Sequence, residues 1–315
     1  MRIQILGARV IDPASGLDQT RDLFIDAGKL LAFDQAPAGF KADQSIDAAG
    51  LIAAPGLVDL SVALREPGYS RKGTIASETL AAAAGGVTSL CCPPHTKPVL
   101  DTPAVTELII DRAREAGHAK VYPIGALSKG LAGEQLAELV ALRDAGCVAF
   151  GNGLSNFPSN RVLCRALEYA ATFNLTVVFH SQDADLAAGG LAHEGPMASF
   201  LGLVGIPETA ETVALSRHLL LVEQTGVRAH FSQLSSARAA EMIAAAQNRG
   251  LPVTADVALY QLLLTDEALR DFSSLYHVQP PLRTRKDRDG LRQAVKDGVI
   301  QAISSPHQPH EPDAK

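Results

Sequence analysis

The sequence predicts an α/β chain: a (β/α)8, TIM-like barrel preceded by a small β-sandwich domain. Three observations predict it. The first fifty residues break into short strands separated by Pro and Gly turns. From about residue 54 apolar strands alternate with amphipathic helices, the signature of βα units and a parallel sheet. Eight such strands can be counted, and a chain of 315 residues, 47% of them hydrophobic, is long enough to close a barrel around a large core.

In chain order, Arg2–Val10 alternates apolar and polar residues as a strand, and Pro13 and Gly16 make a turn. Asp22–Ile25, a turn at Ala27-Gly28, Leu30–Phe33, Gln44–Ala48 and Leu51–Ala53 complete a domain over residues 1–53, part of a β-sandwich. Residues 54–315 form the barrel. Its strands are expected at Leu57–Val62, Thr88–Cys92, Lys120–Ile124, Cys147–Phe150, Thr176–His180, Val227–Phe231, Pro252–Ala255 and Ile300–Ser304. Ala- and Leu-rich stretches at Ile75–Ala84, Gln135–Ala145, Ala210–Gln224 and Ala237–Arg249 have helical spacing. Gly85-Gly86 reads as a helix C-cap and turn, since no phosphate-binding lysine follows. In such a barrel the chemistry sits at the C-terminal ends of the strands.

Composition excludes several function classes. A net charge of −6 argues against a nucleic-acid surface. The densest basic stretch, Arg283-Thr-Arg-Lys-Asp-Arg288, contains an acid and reads as a solvated helix start. The longest apolar runs, such as Ala81–Ala84 and Leu219–Val222, fall far short of the roughly 20 residues that span a bilayer. No membrane association is expected, and without a signal-peptide pattern at the N-terminus the expected location is the cytoplasm. Cys91, Cys92, Cys147 and Cys164 lie among apolar residues with no zinc-type spacing, and read as buried free thiols. No Gly-x-Ser-x-Gly elbow is present, so a serine hydrolase has no support.

Four segments at strand ends carry a resemblance. They are Pro55-Gly-Leu-Val-Asp-Leu-Ser-Val-Ala-Leu-Arg-Glu-Pro-Gly68, Cys92-Pro-Pro-His-Thr-Lys-Pro98, Pro280-Pro-Leu-Arg283 and Pro306-His-Gln-Pro-His310. In order and spacing they resemble the dihydroorotases of the metal-dependent amidohydrolase superfamily, whose versions read PGLVDxHVHLREPG, MPNTxP, NPPLR and TDHAPH. LREPG followed by PPLR points to dihydroorotase rather than to the superfamily at large. That resemblance implies a metal held by two His after the first strand, an acid or carbamylated lysine after the fourth, His after the fifth and sixth, and Asp after the eighth. At the matching positions this chain carries Ser61 and Ala63, Asn152 or Gly153, His180, Gln233 and Pro306.

Only His180 is retained. Ala63 and Pro306 offer no side-chain donor, and one imidazole with neutral amides does not offset a divalent charge. Without the ion no activated hydroxide forms, and proline cannot shuttle the proton that the family's eighth-strand Asp carries. The expectation is a chain with no metal, no cofactor and no hydrolase activity. Of the family's substrate-binding residues Arg65 and His310 are in place, while its asparagines are replaced by His95 and Gln279. Arg65 reads first as a structural arginine tying the first loop to the barrel, and second as a carboxylate clamp. His307 and His310 read as a family relic before a weak surface metal site, and His193-Glu194-Gly195-Pro196 as the loop after the fifth strand.

The chain is similar to the non-catalytic, dihydroorotase-like chain that some bacteria pair with aspartate carbamoyltransferase. The resemblance implies an inactive homologue that serves as an assembly subunit for the transferase catalytic chain in pyrimidine biosynthesis, itself dimeric within the complex. Two other functions stand beside it: a metal-independent or altered amidohydrolase using His180, His95 and His310, and a carboxylate sensor using Arg65 and His310. The family continues past the eighth-strand motif with a last helix and strands that complete the sandwich. Such a piece, or a partner, is expected to cover an otherwise open edge at Arg2–Val10.

Overall fold

The structure is a computed structural model that describes residues 1–311. It divides into two compact units, Met1–Leu57 and Val58–Lys315, against the expected 1–53 and 54–315.

The first unit is one mixed sheet of five strands: β1 (Arg2–Asp12), β2 (Leu17–Asp26), β3 (Lys29–Phe33), β4 (Gln44–Asp47) and β5 (Ile52–Ala53). The register of β1 against β2 shifts between Ile5 and Ala8. Gly7 lies in that bulge at φ +69° and donates its N–H to Asp22 Oδ1 at 2.7 Å. Ala8, Val10, Leu23 and Ala48 form its small core. The expected open edge at Arg2–Val10 is corrected. β1 lies inside the sheet, with β2 antiparallel on one side and β4 and β5 parallel on the other. A parallel neighbour returns by a crossover, which strand patterning alone does not reveal.

The second unit is an eight-stranded parallel sheet rolled into a nearly closed barrel. Its strands in spatial order are β6 (Leu57–Asp59), β7 (Val87–Cys92), β8 (Lys120–Ala126), β9 (Ala149–Gly151), β10 (Thr176–Phe179), β13 (Arg228–Leu234), β14 (Val253–Ala258) and β15 (Ala302–Ser304). All eight expected strands are found in the expected order. Two short strands, β11 (Ala192–His193) and β12 (Gly205–Ile206), form a separate pair between β10 and β13. The seam closes one step past the strand ends, through a parallel bridge between Val62 and His307. There Ala63 N–H donates to the His307 carbonyl at 2.9 Å, and His307 N–H to the Ser61 carbonyl at 3.1 Å.

The helices are α1 (Ile75–Ala84), α2 (Pro103–Ala116), α3 (Leu139–Asp144), α4 (Asn160–Thr172), α5 (Ala184–Ala187), α6 (Pro196–Leu201), α7 (Thr209–Thr225), α8 (Ala237–Asn248) and α9 (Arg285–Lys296). Polar side chains start four of the longer ones: Thr74 and Ser77 form a capping box on α1, Thr284 and Asp287 another on α9, and Ser159 and Ser236 cap α4 and α8. The helix expected at Gln135–Ala145 is shorter. Its first residues pair instead with the loop after β8, where Lys129 N–H donates to Gln135 O and Ala137 N–H to Leu127 O. Leu90, Phe150, Val177, Phe231 and Ile243 belong to one core that runs between the sheet and the helices. Phe179 stacks on Phe231 with ring centroids 5.4 Å apart.

Two expectations about exposure are corrected. Cys92 and Cys147 are buried, but Cys91 and Cys164 are only partly so; all four are free thiols. Arg283 does not belong to a solvated helix start. It is 3% exposed, because it turns inward from α9 to meet acceptors on other elements, while Arg285 and Arg288 remain at the surface end of the helix.

Candidate functional site

At the C-terminal ends of the barrel strands lies a cavity of about 250 Å³. Ser61, Ala63 and Arg65 reach it from the loop after β6, His95 from the loop after β7, Gly153 from beyond β9, and His180 from the end of β10. Gln233 near the end of β13, Gln279 from the segment after β14 and Gln308 from beyond β15 complete its polar wall. Leu60, Leu64, Ile124, Leu154 and Val178 supply the apolar part. The positions singled out from the sequence therefore converge, with two departures in detail.

The first concerns Asn152 and Gly153. The Asn152 side chain is committed to the backbone: its Oδ1 accepts from Ser128 N–H at 3.2 Å and Ser128 Oγ at 3.0 Å, while its Nδ2 donates to Leu131 O at 3.2 Å. Gly153, at φ +55°, offers no side chain, and the His95 ring is seated where a Cβ on it would stand. His95 as a whole is nevertheless exposed. Its packed side loses hydration, which lowers its pKa; Arg65 adds to this, and a hydrogen bond with the Asn152 backbone opposes it. The second departure is the Pro306–His310 segment, where the two histidines part company. His307 pairs with Glu78 on α1, whereas His310 Nε2 lies 2.8 Å from Arg65 Nη2.

Gln233 is aimed by backbone geometry. The register of β13 against β14 shifts between Phe231 and Leu234, and Gln233 sits in that bulge at φ +60°. Its N–H donates to Asp256 Oδ1 at 3.0 Å, and its side-chain Nε2 donates to Ser61 Oγ at 3.2 Å. Asp256, wholly buried on β14, also accepts from Ser304 Oγ at 2.8 Å and lies 2.9 Å from His230 Nε2, so one carboxylate ties β13, β14 and β15 together. Sequence reasoning missed it. Its signal was a carboxylate inside the apolar run Val253–Ala258, a place where acids occur only when paired.

His180 faces the cavity with its pKa pushed down to about 4, first by burial, with His95 adding and Asp256 opposing. It is neutral near pH 7. Behind it His218, 6% exposed, stacks on Phe179 at 4.4 Å and has its Nδ1 3.1 Å from Ser181 Oγ; burial lowers its pKa to about 3. A second unforeseen network supports the segment after β13. Arg283 donates its Nε to Ser235 Oγ at 2.6 Å, its Nη1 lies 3.1 Å from His193 Nδ1, and its Nη2 lies 3.7 Å from Glu211 Oε2. Glu211 accepts from Ser235 N–H at 2.7 Å and Ser235 Oγ at 2.9 Å.

The residues at the cavity do not fit a catalytic divalent ion. The nitrogen, oxygen and sulfur groups that line it are imidazoles, amides, hydroxyls, a guanidinium and the Cys92 thiol, which burial pushes up to about 12 and so keeps protonated. None brings negative charge, and Ser61 Oγ already holds the Gln233 amide. Among the described residues no group of three or more His, Cys, Asp or Glu side chains is placed to hold a metal ion.

Residues 50–239 match the family model described as dihydro-orotase-like. The chain belongs to that family. Over all of its 315 residues it is 77% identical to a dihydroorotase-like protein of Pseudomonas aeruginosa, of which it spans 74%. It is 43% identical to a dihydroorotase of Syntrophotalea carbinolica over its whole length, again 74% of that protein. Among solved structures, an L-hydantoinase (dihydropyrimidinase) from Arthrobacter aurescens superimposes with a TM-score of 0.83 at 24% identity, covering 98% of this chain and 69% of that one. That likeness establishes the fold, a hydantoinase-like amidohydrolase barrel with a separate N-terminal sheet. Family and fold thus agree with the motifs in the sequence. No helix among the described residues is long and apolar enough to cross a membrane.

Proposed function

We propose that this chain is a catalytically inactive dihydroorotase homologue that acts as an assembly subunit for aspartate carbamoyltransferase in pyrimidine biosynthesis. The observation that carries the inactivity is the donor set at the family's metal positions. His180 is the one imidazole among them, Gly153 lies under the His95 ring, and the Gln233 amide is engaged by Ser61. An ion held there would lack both charge and ligands, and a hydrolysis that relies on metal-bound hydroxide would lack its nucleophile. The assembly role rests on the resemblance to dihydroorotase-like chains that partner the transferase, and on the persistence of a full barrel around a cavity without catalytic groups.

The test is to express the chain with and without the aspartate carbamoyltransferase of the same organism, and to follow complex size and carbamoyl transfer. Metal content and dihydroorotate hydrolysis of the chain serve as controls. A joint assembly whose transferase activity requires this chain, without stoichiometric metal or hydrolysis, is the expected result. Separate elution with an unaffected transferase would refute the assembly role, and turnover of dihydroorotate would refute the inactivity.

A further inference from the structure

The segment after β15 is held at three successive points. His307 closes the barrel seam with its backbone and pairs with Glu78 through its imidazole. Gln308 forms part of the cavity wall. The Pro309 carbonyl then accepts from Arg65 Nε at 3.0 Å, and His310 Nε2 lies 2.8 Å from Arg65 Nη2. Lys72 gathers the far side, with its Nζ 3.1 Å from His310 Nδ1 and 3.6 Å from Glu311 Oε2.

Arg65 comes from the other side of the seam, in the loop after β6, and is the only Lys or Arg among the described residues that line the cavity. Its backbone lies at φ +64°, and its carbonyl accepts from Tyr69 N–H at 2.8 Å. A non-glycine residue stays in that region only where its surroundings over-determine it. Here the guanidinium is held at two of its nitrogens by the same short stretch of chain. Arginine suits this task because its planar fork can meet a carbonyl and an imidazole at once.

We propose that Arg65 is an intrachain latch that holds residues 308–311 as a strap against the wall of the cavity. The positive charge at the cavity is engaged by the chain itself, and widening the cavity on this side requires the strap to lift.

The sequence contains no tryptophan, so Glu311→Trp places the only indole of the chain on the strap; it gives up the 3.6 Å pair with Lys72 but leaves Arg65, Pro309 and His310 unchanged, and serves as the reference for every further variant. In the full chain carrying it, Arg65→Gln is expected to lower the indole's fluorescence anisotropy and raise its quenching by acrylamide, with an unchanged melting temperature of the barrel. Arg65→Lys, which keeps the charge but not the fork, is expected to fall between. Anisotropy and quenching unaltered by Arg65→Gln would overturn the latch. So would a loss of barrel stability matching the indole's release, since Arg65 would then be a general support of the fold. Should Arg65→Gln fail to fold, His310→Ala approaches the same contact from the strap, and an immobile indole in that variant would overturn the proposal equally.

Discussion

Replacing Arg283 by methionine should destabilise the barrel unit by about 3–5 kcal/mol, the range for breaking a buried ion pair from one side. The side chains of Arg283 and Glu211 are only 2% and 5% exposed, so neither is rehydrated when its partner leaves. Glu211 would keep its hydrogen bonds from Ser235 but lose its cation. For a unit of this size the loss corresponds to a fall in melting temperature of about 6–20 °C. The pH dependence has a definite sign. Burial already raises the Glu211 pKa above the ordinary carboxylate value, against the opposing pull of Arg283. Without the arginine it rises further. A raised acid leaves stability intact below its unfolded pKa and removes it as pH climbs through the folded value. The Arg283→Met chain should therefore lose more stability at pH 8 than at pH 5. Adding Glu211→Gln removes the stranded charge, and a coupling of about 1–3 kcal/mol should appear in the double-mutant cycle. Thermal melts of the four chains at both pH values measure it. Strictly additive effects, or a loss independent of pH, would refute the reasoning.

Acid should unfold the chain through its buried histidines. His180 and His218 have pKa values lowered to about 4 and about 3, so the stability they lend is present above the ordinary imidazole value and is lost as pH falls toward those values. Melting temperature against pH should drop below about pH 6.5, and less steeply in a His218→Gln chain. Gly153→Ala should cost about 1–2 kcal/mol for its left-handed backbone plus the displacement of the His95 ring; in a His95→Asn background only the backbone cost should remain, which paired urea denaturations resolve.

The barrel was legible because each strand announced itself as an apolar run, and three of the four family motifs lie at such runs, while Pro280–Arg283 lies well past β14, just before α9. What sequence reading misplaced were features set by distant partners. Arg283 sits in a charged stretch, and nothing near it in the chain reveals Glu211 on α7 or His193 on β11. β1 was read as an edge because its parallel neighbour, β4, arrives after two intervening strands. At the candidate site, the identities of the residues were readable from motif order, but their engagements were not. That Asn152 turns to Ser128 and Leu131, and that Gln233 is aimed by a bulge pinned to Asp256, depends on contacts between neighbouring strands and their loops, between residues 21 to 24 positions apart.

The placement of His95 over Gly153 also limits what position 153 can hold. A substitution that put an acid or a lysine at 153 would collide with the imidazole, whose nearest ring atom lies 1.8 Å from where the new Cβ would stand. A side chain could enter at 153 only after His95 had moved or been replaced. Positions 95 and 153 are thus coupled: which of the two changes first decides whether the other can change at all.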